Sequence, residues 1–183
     1  MSIVPISLCK SILRVDFDAD DAVLAFYLDA AQAFFERHTR RFLSPKSLIK
    51  HLRGFTSDEV TLPFPPFQSL TSITYRDTDG VTQSLTSSNY ILETSGAITR
   101  VRWYGDLPDL QEEEPRVSIT WSAGYAAGTV PADLKLAVIR LAGTYYMNPE
   151  AVSMLNLGQV PFGVRAVIDA WACPTLDGEG PDV

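Results

Sequence analysis

The chain has 183 residues, 46% of them apolar and 20% charged, which fits a soluble globular protein large enough to bury a real core. Its formal net charge of -7 argues against a generic nucleic-acid binder, because such proteins carry a strong positive excess. No apolar run reaches the roughly 18 residues a membrane-spanning helix needs, and the opening MSIVPISLCKSILRVD, broken by Pro5 and Lys10, does not read as a signal peptide.

The N-terminal part reads helical. Ser7 to Leu13 fits a short helix, and Asp18 or Asp20 is placed to cap a longer one running to about Phe42. Leu24, Leu28, Ala31, Phe35, His38 and Phe42 recur at spacings of three and four, so they share one face. Phe26, Tyr27 and Phe34 widen that face, which predicts contact with more than one neighbour.

From Ser47 to Ala123 the period shortens. Ser47–Arg53, Glu59–Leu62, Leu70–Tyr75, Val81–Leu85, Tyr90–Glu93, Ile98–Trp103 and Val117–Trp121 are short and rich in Thr, Ile, Val and aromatic residues. Pro63, Pro65 and Pro66 force a corner, and Asp77-Thr78-Asp79-Gly80 fits a hairpin loop with Gly80 free to take a positive φ. The pattern predicts an antiparallel β-rich module.

Helix returns at Pro131, a favoured first-turn residue, with Asp133 well placed for the helix dipole. From Ala132 to Met147 only Asp133, Lys135 and Arg140 are charged, so the helix should be buried on several sides. Asn148-Pro149 ends it. A further helix is expected from Phe162 to Trp171, followed by a flexible tail over residues 172–183 ending in LDGEGPDV.

Candidate chemistry is sparse. Asp16, Asp18 and Asp20 open like a calcium loop, but Asp21 stands where the sharp-turn glycine belongs and Tyr27 where the bidentate glutamate belongs. His38 and His51 have no carboxylate or cysteine at ligand spacing, and Cys9 and Cys173 form no metal-type pair; two such cysteines read as reduced thiols of a cytosolic protein. No serine sits in a GxSxG elbow and no phosphate-binding glycine loop is present; Gly124 to Gly128 lacks the lysine and fits a plain strand-to-helix connection. The reading is of a protein without catalytic residues, metal or cofactor. The charge pattern is more informative. Arg37, Arg40, Arg41, Lys46, Lys50 and Arg53 fall together without one carboxylate, and Glu112, Glu113 and Glu114 offer an acidic counterpart. The basic run fits a solvated helix end, DNA phosphates or an acidic surface of another subunit.

The order of features carries a resemblance. Leu13-Arg14-Val15-Asp16 closes the first helix and His38-Thr39-Arg40-Arg41 the second. Leu62-Pro63-x-x-Pro66 follows, then Ser69-Leu70-x-Ser72-Ile73-x-Tyr75-x-Asp77-x-x-Gly80 and Asn89-Tyr90-Ile91-Leu92. Trp121-x-Ala123-Gly124-Tyr125, Val130-Pro131-x-x-Leu134-Lys135 and Val160-Pro161-x-Gly163-Val164 complete the set. Up to about Trp171 the chain resembles the head–tail connector, or adaptor, family of tailed bacteriophages and gene transfer particles.

That resemblance implies an α+β fold: a helical bundle from residues 7–42 and 131–171 with an inserted antiparallel β-rich module over 47–123, together a single connector domain over 1–171. It implies a non-enzymatic virion protein, assembled in the host cytoplasm, that forms a ring with itself, normally a dodecamer. Such a ring docks on the portal protein, extends a channel for DNA without sequence specificity, meets a tail-side stopper or tail completion protein, and needs no membrane. Phe162, Val164, Val167, Ile168 and Trp171 are the expected portal contact. Arg37, Arg40 and Arg41 with Glu112, Glu113 and Glu114 are the expected subunit interface. The alternative is a small cytoplasmic nucleic-acid-binding module using the basic 37–53 stretch, and a hydrolase comes third, needing a deep pocket that joins distant carboxylates.

Overall fold

The structure is a computed structural model that describes residues 3–55, 58–148 and 161–173. Its fold is α+β: helices from both ends of the chain form a bundle, and an antiparallel β-rich module is inserted between them. The chain divides into two compact units, a helical one from Met1–Ser44 and Tyr125–Cys173 and a β-rich one from Pro45–Gly124.

In the helical unit α1 spans Ile6–Leu13 and α2 spans Asp21–Thr39, with α3 at Ala132–Met147 and α4 at Phe162–Trp171. The apolar stripe of α2 behaves as its spacing requires: Leu24, Leu28, Ala31 and Phe35 are fully buried. Leu28, Ala31 and Phe35 meet Leu134, Val138, Leu141 and Tyr145 of α3 in one core, into which α4 inserts Val164 and Ile168. Gly143 permits a close approach of α1 to α3, since a Cβ there would fall 2.6 Å from Cδ2 of Leu13.

Two details of α2 differ from the sequence-based expectation. The helix stops at Thr39, three residues before Phe42, because Arg40 turns left-handed at φ 53°. The buried Glu36 carboxylate then accepts the Leu43 backbone N–H at 3.0 Å, folding the chain back over the helix end. At the other end Asp20 holds the N-cap position but makes no cap bond with its side chain. Its carboxylate instead accepts the phenol of Tyr146 from α3.

Glu36 belongs to a short polar chain. The Ile3 N–H donates to Gln32 Oε1, and Gln32 Nε2 donates to Glu36 Oε1, both at 3.0 Å. Replacing Glu36 with Ala would leave the buried Leu43 N–H without its acceptor, so Glu36→Ala should cost about 1–3 kcal/mol. Glu36→Gln keeps an acceptor and should cost less; urea titration of the two variants measures the difference.

The β-rich unit contains two sheets. The first has the order β1-β7-β3-β4, from Lys46–Leu52, Val117–Ala123, Phe67–Arg76 and Thr82–Ser84. The second has the order β2-β6-β5, from Glu59–Leu62, Ile98–Trp103 and Tyr90–Ser95. All pairings are antiparallel. β7 alternates perfectly, burying Val117, Ile119, Trp121 and Ala123, so one face of the first sheet is core and the other carries Ser118, Thr120 and Ser122. β3 begins at Phe67, earlier than expected, because the proline corner is complete at Pro66; the strand accommodates irregularities between Phe67 and Ser72. The hairpin loop forms as its sequence predicts. Asp77 Oδ1 accepts the Asp79 and Val81 N–H groups, and Gly80 takes φ 77°.

Candidate assembly surfaces

The two histidines are engaged structurally. His38 lies 2.8 Å through Nδ1 from the Phe34 carbonyl, to which it donates, and its ring stacks on Phe34 with centroids 4.0 Å apart. His51 Nδ1 hydrogen-bonds the Ser118 hydroxyl across the β1–β7 pair at 2.9 Å. Cys9 is buried, and burial pushes its thiol up, away from the reactive thiolate.

The aspartates after α1 form a clasp. Lys10 of α1 pairs with Asp18, and with Asp21 at 2.8 Å. The hydrogen bond to Asp18, then that to Asp21, raises Lys10 above the usual lysine range, and Lys10 in turn lowers Asp18 below the usual carboxylate range. A lowered carboxylate stabilises the fold above its ordinary pKa and loses that contribution as pH falls through the folded value. A raised lysine loses its contribution only as pH rises through its own raised value. Lys10→Met should therefore flatten part of the acid limb of stability against pH, leaving neutral-pH folding intact; thermal melts from pH 2 to pH 7 check this.

In the β-rich unit a cleft of about 690 Å³ is lined by Phe55, Trp103, Tyr104, Asp58 and Glu59 among others. Glu59 is held by Arg100 at 3.4 Å and by Arg102 at 3.2 Å, and Arg102 also reaches Glu93. The two carboxylates of the cleft are adjacent in sequence and one is committed to ion pairs, so it does not join distant acids.

The expected portal-contact residues on α4 separate into two groups. Val164 and Ile168 are buried in the core of their own bundle, and Val167 packs against it. Trp171 is clamped: its indole N–H donates to Asp133 Oδ2 at 2.7 Å, and Arg41 donates through Nε to its carbonyl at 2.7 Å while lying over its ring. Phe162 alone of the five stands out, 88% exposed at the start of α4. An i, i+4 apolar pair in sequence does not reveal whether the chain itself covers it, and here α2 and α3 cover Val164 and Ile168.

The charged candidates separate as well. Arg37 and Arg40 are exposed at the end of α2, whereas Arg41 is committed to Trp171. Glu112, Glu113 and Glu114 lie on the loop before β7 in the β-rich unit, all exposed. Arg116 donates to the Glu112 carbonyl at 2.6 Å and Arg53 lies 3.6 Å from the Glu114 carboxylate, so this loop has cations in its own unit. The Arg53–Glu114 pair is exposed, and exposed ion pairs contribute little, while Arg116 binds the Glu112 backbone rather than its carboxylate.

Comparison with known proteins decides the family. Residues 5–100, more than half of the chain, match the phage gp6-like head-tail connector protein family. The chain belongs to that family. Solved structures agree over nearly the whole length. A chain from the neck of an empty GTA particle, computed with C6 symmetry, superposes with a TM-score of 0.74 at 30% identity, covering 96% of this chain and 93% of that one. A chain from the virion of a native gene transfer agent particle gives 0.73 at 29% identity, with 96% and 93% covered. One from the neck of the native GTA particle, computed with C12 symmetry, gives 0.69 at 29% identity, with 97% and 96% covered. No curated protein matches significantly. The family is one of structural virion connectors rather than an enzyme class, and the role of this connector chain is structural.

Proposed function

We propose that this connector assembles into a ring, normally of twelve copies, on the portal of a phage-like particle, extends the DNA channel and presents a surface to a tail-side stopper or completion protein. The single observation that carries this reading is the near-complete superposition on chains from GTA necks computed with C6 and C12 symmetry, at 29–30% identity. A protein of that kind works in the virion neck after assembly in the host cytoplasm, with DNA passing without sequence-specific contact.

The residues proposed for each contact are chosen by their exposure. On α4, the portal contact proposed here centres on Phe162 and the exposed side of the helix, with Val164, Val167, Ile168 and Trp171 fixing the helix that carries it. For subunit pairing, Arg37 and Arg40 supply exposed cations and Arg41 positions α4 through Trp171. Glu112, Glu113 and Glu114 remain available acids, with Arg53 competing for Glu114.

Size-exclusion chromatography of the chain mixed with the portal protein of its particle tests the reading. Co-elution as a complex of many copies is the expected outcome. A chain that stays monomeric and ignores the portal overturns it, and steeply salt-dependent DNA binding by that monomer would favour the nucleic-acid module instead.

A further inference from the structure

The helical unit leaves apolar side chains exposed on two flanks. On α2, Phe26 is 67% exposed and Val23 is also open to solvent. Along this outer side, exposed Ala22, Ala25 and Ala33 accompany them, and Asp29 is the one exposed charge before Arg37 and Arg40. A helix whose solvent side is this apolar is ordinarily covered by something.

The second flank is α1 and the turn after it. Leu8 and Ile12, one helical turn apart on α1, are both exposed, and Phe17 follows, 52% exposed. Here the neighbouring exposed charges are mixed, Arg14, Asp16 and Asp18, the last already paired with Lys10.

These flanks lie on different sides of the unit. α1 and the segment before it attach to α2 at Asp21, through Lys10, and at Gln32, through the Ile3 N–H. With 3.6 residues per turn, Phe26 is about 120° round the helix from Gln32 and Val23 about 160° from Asp21. The two apolar flanks therefore face apart. Two different apolar patches facing apart on one subunit are what a head-to-tail contact needs, and such contacts close into rings when the rotation between copies closes.

We propose that the outer side of α2, centred on Val23 and Phe26, docks on the Leu8, Ile12 and Phe17 flank of a second copy of this chain, the occupant suggested by the C6- and C12-symmetric necks that hold its relatives. This rests on the ring reading above. Phe26 is the anchor, since large aromatic side chains at the centre of an apolar patch carry most of an interface's energy.

The test uses the full chain on its portal. The wild type reports on the ring reading by itself: negative-stain images without rings overturn that reading and this interface with it. Where the wild type forms rings, Phe26→Asp and Ile12→Asp, each checked for a wild-type circular dichroism spectrum and melt, should lower ring occupancy about tenfold or more. Rings that persist at wild-type occupancy in both folded variants overturn the interface and leave the ring reading standing. Direction is read by cross-linking in a Cys173→Ser background, where Cys9 is buried. The double variant Ile12→Cys/Phe26→Cys with a short bismaleimide should give a ladder beyond dimers, and Phe26→Cys alone only monomers. Dimers from Phe26→Cys alone would mean a two-fold contact through α2, which contradicts the head-to-tail arrangement.

Discussion

Trp121→Ala should destabilise the β-rich unit by about 3–5 kcal/mol, the cost of emptying a fully buried aromatic site. Trp121 is 1% exposed on β7, an inner strand of the four-stranded sheet. Its register partners are Leu48 on β1 and Leu70 on β3, so both neighbouring strands lose a cross-strand contact at once. β7 itself is fixed by backbone pairing to β1 on one side and β3 on the other, which limits collapse into the space. The loss is comparable to a large share of a typical domain's total stability. Guanidinium titration followed by far-ultraviolet circular dichroism measures it, and a cost below about 1 kcal/mol would mean the site repacks freely.

Phe35→Ala should cost a similar amount, about 3–5 kcal/mol, in the helical unit. Phe35 is fully buried in the core where α2, α3 and α4 meet. Its effect should exceed that of truncating Phe26 in the isolated chain, because Phe26 is mostly exposed there. Trp171 is the tryptophan of the helical unit and is held by Asp133 and Arg41, so its fluorescence follows the bundle. In Phe35→Ala its emission should shift at a lower denaturant concentration than in the wild type. The contrast between the two phenylalanines separates a core residue from a residue reserved for assembly: Phe35→Ala lowers the melting temperature, while Phe26→Asp spares it and removes rings.

Strong periodicity made the helices legible in the sequence. The nearly uncharged run from Ala132 to Met147 and the segment from Phe162 to Trp171 have the boundaries that proline and apolar spacing imply. Hairpin chemistry at Asp77 and Gly80 was equally local and equally readable. What local pattern could not supply was the identity of tertiary partners. After the left-handed turn at Arg40, Glu36 holds the returning chain by binding Leu43, and nothing in the spacing of α2 marks that buried carboxylate. Asp20 looked like a cap and instead binds Tyr146, 126 residues away.

The same limit governs the candidate surfaces. An apolar side chain reads alike whether its own fold or another subunit covers it. Val164 and Ile168 proved to be core, while Phe26, grouped in the sequence with the buried face of α2, is open to solvent. Arg40 and Arg41 are adjacent in sequence, yet one is exposed and the other is spent on Trp171. Exposure, which only the folded chain reveals, sorts assembly residues from scaffold.

The central claim is that this chain is a ring-forming connector on a portal. Cryo-electron microscopy of the purified chain mixed with the portal of its particle measures this directly. The account predicts a closed ring of copies coaxial with the portal, with the open channel running through both and α4 carrying Phe162 at the portal side. Bare portals beside dispersed monomers would contradict it.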